Sequence, residues 1–181
     1  HCATSKNPDV LLFQEVVEDM FEVMKLRLTP PEWSIMKRGS VDTVYFNVTA
    51  VRKQHAQPTS LMFPSHCTTQ GRHVVLTTAT AWKIANVHAE SGPGKLATAA
   101  RQKQYAILQR IHEREERPVW IIAGDFNARD GEDASLLAGG WRDACAEEPT
   151  VDGVAREDWT WRKGQNKARY DRIYFRSTQE Y

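Results

Sequence analysis

The chain has 181 residues, enough for one domain with a sizeable core. Hydrophobic residues make up 41% and charged residues 26% of the sequence, which is typical of an ordinary globular protein. A formal net charge of +1 excludes a globally basic nucleic-acid binder, and no apolar run or secretory signal pattern indicates a membrane or exported protein. Cys2, Cys67 and Cys145 are odd in number and widely spaced, which favours free thiols over a disulfide frame or a zinc site.

The first predicted unit is a short buried strand over residues 10–13, closed by Gln14 and Glu15. A helix is expected over residues 16–28, with one apolar face formed by Val16, Val17, Met20, Met24 and Leu28. Glu15 therefore lies at a strand-to-helix junction, where it could bind a cation. It could equally be an ordinary acidic residue in the first turn of a helix. Residues 33–36 and 41–52 are predicted strands, and residues 53–70 are predicted to be a loop.

The middle of the chain is predicted to form a hairpin and then a helix. Residues 72–80 and 81–87 have the composition of adjacent strands, and polar residues follow the second strand at His88, Glu90 and Ser91. A histidine at that place can be catalytic or simply structural. Residues 95–117 are predicted to be a helix whose apolar stripe comprises Leu96, Ala99, Ala100, Ile107, Leu108 and Ile111.

The next strand, over residues 119–123, precedes the densest polar cluster of the sequence. Gly124 ends the strand, and Asp125, Asn127, Arg129 and Asp130 follow. An ordinary Asp/Asn turn is the alternative interpretation. A short helix is expected over residues 134–138, a loop up to residue 158, a short strand over residues 159–161 and a last strand over residues 170–176.

Charge is unevenly distributed in the last third of the chain. Residues 130–158 are strongly acidic, whereas residues 159–178 carry six basic side chains and only Asp171 against them. A basic stripe of this kind could follow a phosphate backbone, or it could be a solvated face.

Three predicted strands thus end in polar sets, at Glu15, at His88 and at Asp125. Oxygen ligands without a Cys/His cluster favour Mg²⁺ or Mn²⁺ over zinc. Such an ion could polarise a phosphoryl oxygen, while Asp125 with Asn127 could orient and deprotonate a water. Phosphate oxygens could be held by Arg129, Ser91 and Arg72. The pattern indicates phosphate chemistry.

Specific motifs resemble the endonuclease/exonuclease/phosphatase superfamily. They are Phe13-Gln14-Glu15, His88-Ala89-Glu90-Ser91 and Gly124-Asp125-Phe126-Asn127. Within the superfamily, the Arg129-Asp130 extension, Thr160-Trp161 and the run from Tyr170 to Arg176 are similar to the family of tyrosyl-DNA phosphodiesterases that act on 5′ ends. The order and approximate spacing agree over almost the whole chain.

The resemblance implies a four-layer α/β sandwich in which residues 1–181 form a single catalytic domain. It implies Mg²⁺-dependent hydrolysis, with Mn²⁺ as an alternative ion, of tyrosine linked to DNA 5′ ends by trapped topoisomerase II. Glu15 would be the metal ligand, and Asp125, Asn127 and His88 would be catalytic. Contacts to phosphate or DNA would come from Arg129, Ser91, Glu90, Arg72, Trp161, Tyr170 and Arg172. We further expect an intracellular, nuclear monomer that acts on DNA and not on a membrane.

The sequence also departs from the family pattern. A family Trp-Asn motif on the first strand and a Ser-Asp-His motif near the end have no counterpart in residues 1–181. We therefore expect a domain that is incomplete at both termini, with weak or no activity for residues 1–181 alone. Two alternatives stay open: a relative with another phosphoester substrate, and a module that binds DNA ends or protein without catalysis.

Overall fold

The computed structural model describes residues 8–28, 31–39, 44–52, 57–70, 72–79, 81–114, 119–147, 150–151, 154–155 and 159–177. In chain order the elements are β1 (Val10–Val16), α1 (Glu18–Arg27), β2 (Trp33–Arg38), β3 (Phe46–Arg52), β4 (Gln57–Met62), β5 (His73–Thr78), β6 (Trp82–His88), α2 (Lys95–Gln109), β7 (Val119–Asp125), α3 (Ala134–Ala138), β8 (Arg142–Asp143), α4 (Ala144–Glu147), β9 (Thr150–Val151), β10 (Val154–Ala155), β11 (Trp161–Lys163), β12 (Asn166–Ala168) and β13 (Asp171–Ser177).

Two sheets form the centre of the molecule. The larger sheet has the strand order β4-β5-β6-β7-β13-β8, and the smaller sheet has the order β1-β3-β2. All neighbours in both sheets are antiparallel except β6 and β7, which run parallel. The sheets face each other, because β1 and β3 contact β6, and β1 also contacts β7. Short hairpins, β9-β10 and β11-β12, stand apart from these sheets.

Helices complete a sandwich of four layers. Tyr105 and Leu108 of α2 pack with Val87, Ile122 and Tyr174 of the larger sheet in a fully buried apolar cluster. On the other side, α1 lies against the outer face of the smaller sheet, where Lys37 contacts the rings of Phe21 and Phe46. No side chain of α1 is buried, so this helix adds little to the core.

One buried asparagine joins the two sheets close to their functional end. Asn86 of β6 is 0% exposed, and its Nδ2 donates to the carbonyl oxygens of Phe13 at 3.2 Å and Val48 at 3.0 Å. Its Oδ1 accepts from Gln14 Nε2 at 2.6 Å. Because a buried amide must satisfy its hydrogen bonds, this residue fixes β1 against β6.

Several sequence predictions are confirmed by the fold. The four-layer α/β class is correct, residues 72–87 form the antiparallel pair β5-β6, and α3 spans residues 134–138 as predicted. Cys67 and Cys145 are free thiols, while Cys2 lies outside the described residues. Over the part of the chain that the structure describes, no helix has the length and apolar character needed to cross a membrane.

Other predictions about the elements are wrong. The strand β1 continues to Val16, so α1 starts later than expected, and Met20 on its supposed apolar face is 54% exposed. The predicted loop over residues 53–70 contains β4, whose Pro58 is tolerated because β4 is an edge strand. The helix predicted over residues 95–117 ends at Gln109, and Leu96 of its supposed apolar stripe is 83% exposed.

Candidate active site

The site is built on the parallel strands β6 and β7. In their register His88 is the partner of Asp125, so both side chains leave the sheet at the same edge. There is no room for a side chain between the strands here: Gly124 has φ +134°, and a Cβ on it would lie 2.1 Å from the Val87 carbonyl oxygen. Only a glycine allows this approach, which explains its place directly before Asp125.

Glu15 reaches the same edge from the smaller sheet. The pairing of β1 with β3 is irregular between Phe13 and Val16, and Glu15 has φ +55° in this interval. A glutamate rarely adopts this left-handed conformation, and such strain is concentrated at functional sites. Its side chain is 62% exposed, and Oε1 lies 3.8 Å from His88 Nε2. The irregularity therefore turns one accessible carboxylate towards the end of β6.

The state of the His88 ring is set by Arg72. Arg72 Nη1 lies 2.9 Å from His88 Nδ1, and since a guanidinium can only donate, Nδ1 accepts and the ring proton is on Nε2. Burial, and then the positive charge of Arg72, lower the pKa of His88 to about 3. The ring is therefore neutral near pH 7, and its closeness to carboxylates is not an ion pair.

This tautomer leaves a donor directed at the centre of the site. His88 is 3% exposed, and among the described residues its Nε2 has no hydrogen-bond partner. Nε2 lies 3.7 Å from Asp125 Oδ2 and 3.8 Å from Glu15 Oε1. A buried donor without a partner costs free energy, so the position suits a bound oxygen that would accept this proton.

Asp125 has the most useful acid–base properties in the site. Burial raises the pKa of Asp125 to about 6, and the negative charges of Asp171 and Glu15 act in the same direction. The Asn127 amide, which donates to Oδ1 at 2.8 Å, acts in the opposite direction, as does Arg72. A carboxyl whose pKa lies near the working pH is suited to accept a proton from water.

Asn127 and Arg129 follow in the loop after β7. Asn127 is 7% exposed with φ +49°, and its Nδ2 donates to the Ala89 carbonyl at 3.3 Å. Arg129 Nη1 donates to the Asn127 carbonyl at 2.7 Å. This loop is thus tied both to itself and to the loop after β6.

An aromatic wall, formed by Trp161, Tyr170 and the guanidinium of Arg129, stands beside this loop. The Arg129 guanidinium lies 4.5 Å from the centre of the Tyr170 ring, and the rings of Tyr170 and Trp161 are 5.6 Å apart. Trp161 is 38% exposed, and Asp171, next to Tyr170, is the register partner of Asp125. An exposed ring this close to the site can stack on a base.

Two polar residues just before β5, Gln70 and Arg72, contact Ser91. Arg72 Nη2 donates to Ser91 Oγ at 3.2 Å and to Gln70 Oε1 at 2.6 Å, and Ser91 Oγ donates to Gln70 Oε1 at 3.0 Å. Arg72 therefore links Ser91 to His88. Gln70 is a member of the site that the sequence did not reveal, since an isolated glutamine in a loop carries no signal.

Two residues expected to contact substrate are placed differently from the others. Glu90 is 1% exposed, and its carboxylate accepts from the hydroxyls of Thr68 and Thr69. Arg172 lies 3.7 Å from the carboxylates of both Asp133 and Asp143. Glu90 would have to leave these partners to touch a ligand, so its position suits support of the surrounding loops. Arg172, in contrast, also lines a cavity beside Arg129 and Tyr170.

The donor set fits a hard divalent cation. Within the described ranges, no three His, Cys, Asp or Glu side chains form a preformed metal cage. Mg²⁺ does not need one, since it keeps several waters and binds through one or two carboxylates. The geometry in its favour is that the carboxylates of Glu15 and Asp125 lie 3.8 Å and 3.7 Å from the same His88 Nε2. Burial is the main cause of the raised pKa of Asp125, the charges of Asp171 and Glu15 add to it, and a cation beside Glu15 would relieve that repulsion.

A carboxylate on strained backbone, a buried neutral histidine and an aspartate of raised pKa thus meet at one edge of the four-layer sandwich, an arrangement suited to phosphoester hydrolysis. The chain belongs to the Endonuclease/Exonuclease/phosphatase family, which its sequence matches over residues 3–180. Enzymes of this superfamily generally depend on divalent metals. A comparison with curated proteins finds no match.

Solved structures support the same assignment of the fold. A humanised TDP2 from D. rerio is 26% identical with a TM-score of 0.76, and the match covers 97% of this chain and 73% of that one. TDP2 from C. elegans is 20% identical with a TM-score of 0.75, covering 97% and 56%. The Neisseria 3′ phosphatase NExo is 18% identical with a TM-score of 0.70, covering 96% and 78%. At such identities the last two likenesses show the fold alone.

Proposed function

We propose that this protein is a Mg²⁺-dependent phosphodiesterase that hydrolyses the bond between tyrosine and a DNA 5′ phosphate, as tyrosyl-DNA phosphodiesterase 2 does. The observation that carries the proposal is that two family motifs, Arg129-Asp130 and the run beginning at Tyr170, meet in the aromatic wall beside the site. The Arg129-Asp130 extension and the run beginning at Tyr170 are the features that narrow the resemblance to this family. Arg129 stacks on Tyr170, and the next residue, Asp171, pairs with Asp125 in the sheet, which supports a shared role in substrate recognition.

In the proposed reaction, water attacks the phosphorus opposite the tyrosyl oxygen. Asp125, whose pKa is raised to about 6, accepts the proton of the attacking water, and Asn127 orients that water. His88 donates its Nε2 proton as a hydrogen bond to a phosphoryl oxygen and stays neutral throughout. The phosphorus–oxygen bond to tyrosine breaks, and the tyrosine leaves with a proton from solvent.

The remaining phosphoryl oxygens are held by side chains on either side of the reacting bond. Ser91 and Arg72 approach from the β6 side, and Arg129 approaches from the β7 side. Glu15 would hold the divalent cation, which supplies Lewis-acid polarisation of a phosphoryl oxygen. Trp161 would stack against the first base of the strand. We place this reaction in the nucleus, in a monomeric protein.

The test follows release of tyrosine from a 5′-tyrosyl oligonucleotide by the full-length protein in Mg²⁺. We expect turnover that is lost in EDTA and lost in Asp125→Asn, with an unchanged circular dichroism spectrum for that variant. Parallel reactions use a 3′-phosphorylated strand, an abasic duplex, RNA and an inositol phosphate.

Each outcome separates the proposal from its alternatives. Faster turnover of any parallel substrate than of the 5′-tyrosyl strand would replace the proposed substrate within the superfamily. A folded protein that binds DNA ends but hydrolyses none of them would be a binding module. The compartment is tested separately, by locating the tagged protein in cells.

A further inference from the structure

Helix α2 presents a buried polar face instead of a purely apolar one. Arg101, Gln104 and Tyr105 are each 0% exposed. A buried guanidinium is costly unless all its donors are used. The partners of Arg101 lie in the loops of the site, except Thr98 of α2, which itself donates to Glu132. This face is therefore directed at the loops that follow β4, β6 and β7 rather than at the core alone.

Arg101 holds the segment around Ser91 from both sides. Its Nη1 donates to the carbonyl oxygens of Glu90 at 3.1 Å and Gly92 at 2.9 Å. These are the residues directly before and after Ser91, so the backbone position of Ser91 is fixed by one buried group. Gln104 adds to this, because its Oε1 accepts from the Glu90 amide at 2.9 Å.

The other side of the same guanidinium reaches the loop after β7. Arg101 Nε and Nη2 donate to Glu132 Oε2 at 2.7 Å and Oε1 at 2.9 Å, a bidentate pair. Glu132 Oε2 in turn accepts from the backbone amide of Arg129 at 3.0 Å. The two oxygens of one carboxylate thus connect the helix with the backbone of the other predicted phosphate-binding residue.

Charge supports this description of the pair. Burial by itself would raise the pKa of Glu132, but the hydrogen bonds from Arg101, the Arg129 amide and Thr98 lower it to about 2. Glu132 is therefore ionised over the whole working range. Bidentate pairing to a carboxylate is a geometry that Arg can make and Lys cannot.

We infer that the buried Arg101–Glu132 pair sets the separation of Ser91 and Arg129, and so positions the phosphate-binding residues of the β6 loop and the β7 loop as one unit. Arg101 and Glu132 are positioning residues that do not touch substrate. The inference rests on the proposed function in assigning phosphate contacts to Ser91 and Arg129. The mechanical link between the loops stands on the hydrogen bonds alone.

The first experiment reads the link without activity. In hydrogen–deuterium exchange of the full-length protein, we expect Arg101→Lys and Glu132→Gln each to increase exchange in residues 89–94 and 127–132 together. Leu108→Ala is the matched control. Leu108 lies about two turns further along the same helix, is fully buried and packs in the apolar cluster. Its destabilisation should spread over the core without selecting these two loops. Increased exchange in one loop only, or in neither, would overturn the link.

The second experiment is a double-mutant cycle on kcat/KM for the 5′-tyrosyl oligonucleotide. We expect Arg101→Lys and Ser91→Ala each to lower kcat/KM about tenfold or more, and the double variant to be no more than about threefold below the lower single variant. Leu108→Ala combined with Ser91→Ala should instead be multiplicative. A multiplicative Arg101→Lys/Ser91→Ala variant would mean that Arg101 acts only through stability. If the wild type hydrolyses no substrate, the proposed function fails while the exchange result still decides the link.

Discussion

The two halves of the site are held in very different ways. On the larger sheet, His88 and Asn127 are nearly buried, and hydrogen bonds join their loops to α2 and to each other. On the smaller sheet, the Glu15 side chain is 62% exposed, and α1, which follows it, buries no side chain. One half is joined by buried hydrogen bonds, and the other presents a single accessible carboxylate.

From this difference we expect the carboxylates of Asp125 and Glu15 to have different roles. Desolvation raises the pKa of Asp125 to about 6, which prepares it to accept a proton. An exposed glutamate on a bulged strand can instead adjust to the coordination sphere of a hydrated cation. The contrast between a buried base and an exposed ligand can be tested directly.

The largest effect is expected from comparing Asp125→Asn with Glu15→Gln. Removing the proton acceptor should lower kcat by about a thousandfold at every Mg²⁺ concentration. Removing the proposed ligand should mainly raise the Mg²⁺ concentration needed for half-maximal rate, so that activity returns at high Mg²⁺. Steady-state rates over a Mg²⁺ titration measure both. Equal rescue of the two variants by Mg²⁺ would contradict the separation of roles.

The rigidity of the larger sheet can be broken at Gly124. In Gly124→Ala the new Cβ would lie 2.1 Å from the Val87 carbonyl oxygen, so the ends of β6 and β7 would have to separate. We expect a loss of about 3 kcal/mol in the free energy of unfolding, measured in urea. Gly131→Ala is the control, since Gly131 also has positive φ but no atom lies within 4 Å of its Cβ position. A similar loss in both variants would show that the close approach is not important.

The sequence predicted which strand ends carry clustered polar residues better than it predicted what holds those strand ends together. Glu15, His88 and Asp125 each lie at or near the end of a strand that the sequence predicts, and His88 and Asp125 meet because their strands are neighbours in one sheet. Asn86 and Arg101 gave no such signal, because a polar residue inside an apolar pattern looks like a break in the pattern until its partners are known. Their partners lie in loops or in the other sheet, as Phe13 and Gly92 show, and pattern reading within one element cannot find them.

For the helices, the sequence predicts that they exist but not which of their faces are buried. The existence of α1 and α2 follows from composition and spacing, but the faces that they bury do not. Leu96 was expected in the core and is 83% exposed, whereas Gln104 is 0% exposed. The glutamine is buried because two loops supply its hydrogen bonds, which compensates for removing it from water.

The raised pKa of Asp125 also predicts a cost in stability. Since its folded pKa of about 6 exceeds the ordinary aspartate pKa of 3.8, the folded state binds the proton more tightly, and stability falls as pH rises from about 4 to about 6. In EDTA, Asp125→Asn should therefore be more stable than the wild type by about 3 kcal/mol at pH 8 and by almost nothing at pH 4. Urea unfolding at both pH values measures this. A gap that does not change with pH would show that the carboxyl is not destabilised by burial.

The smallest effect is expected on α1, where the smaller sheet meets solvent. Leu26 is 75% exposed, and no side chain of α1 is buried, so Leu26→Lys removes almost no apolar area from contact with the protein. We expect a change within about 0.5 kcal/mol in the free energy of unfolding, whereas Leu108→Ala in α2 should cost about 3 kcal/mol because it empties a buried site. Urea unfolding of both variants measures the two losses in free energy of unfolding. A loss for Leu26→Lys approaching that for Leu108→Ala would mean that the exposed residues of α1 are covered by other parts of the protein. The half of the site on the smaller sheet would then be held about as firmly as the half on the larger sheet.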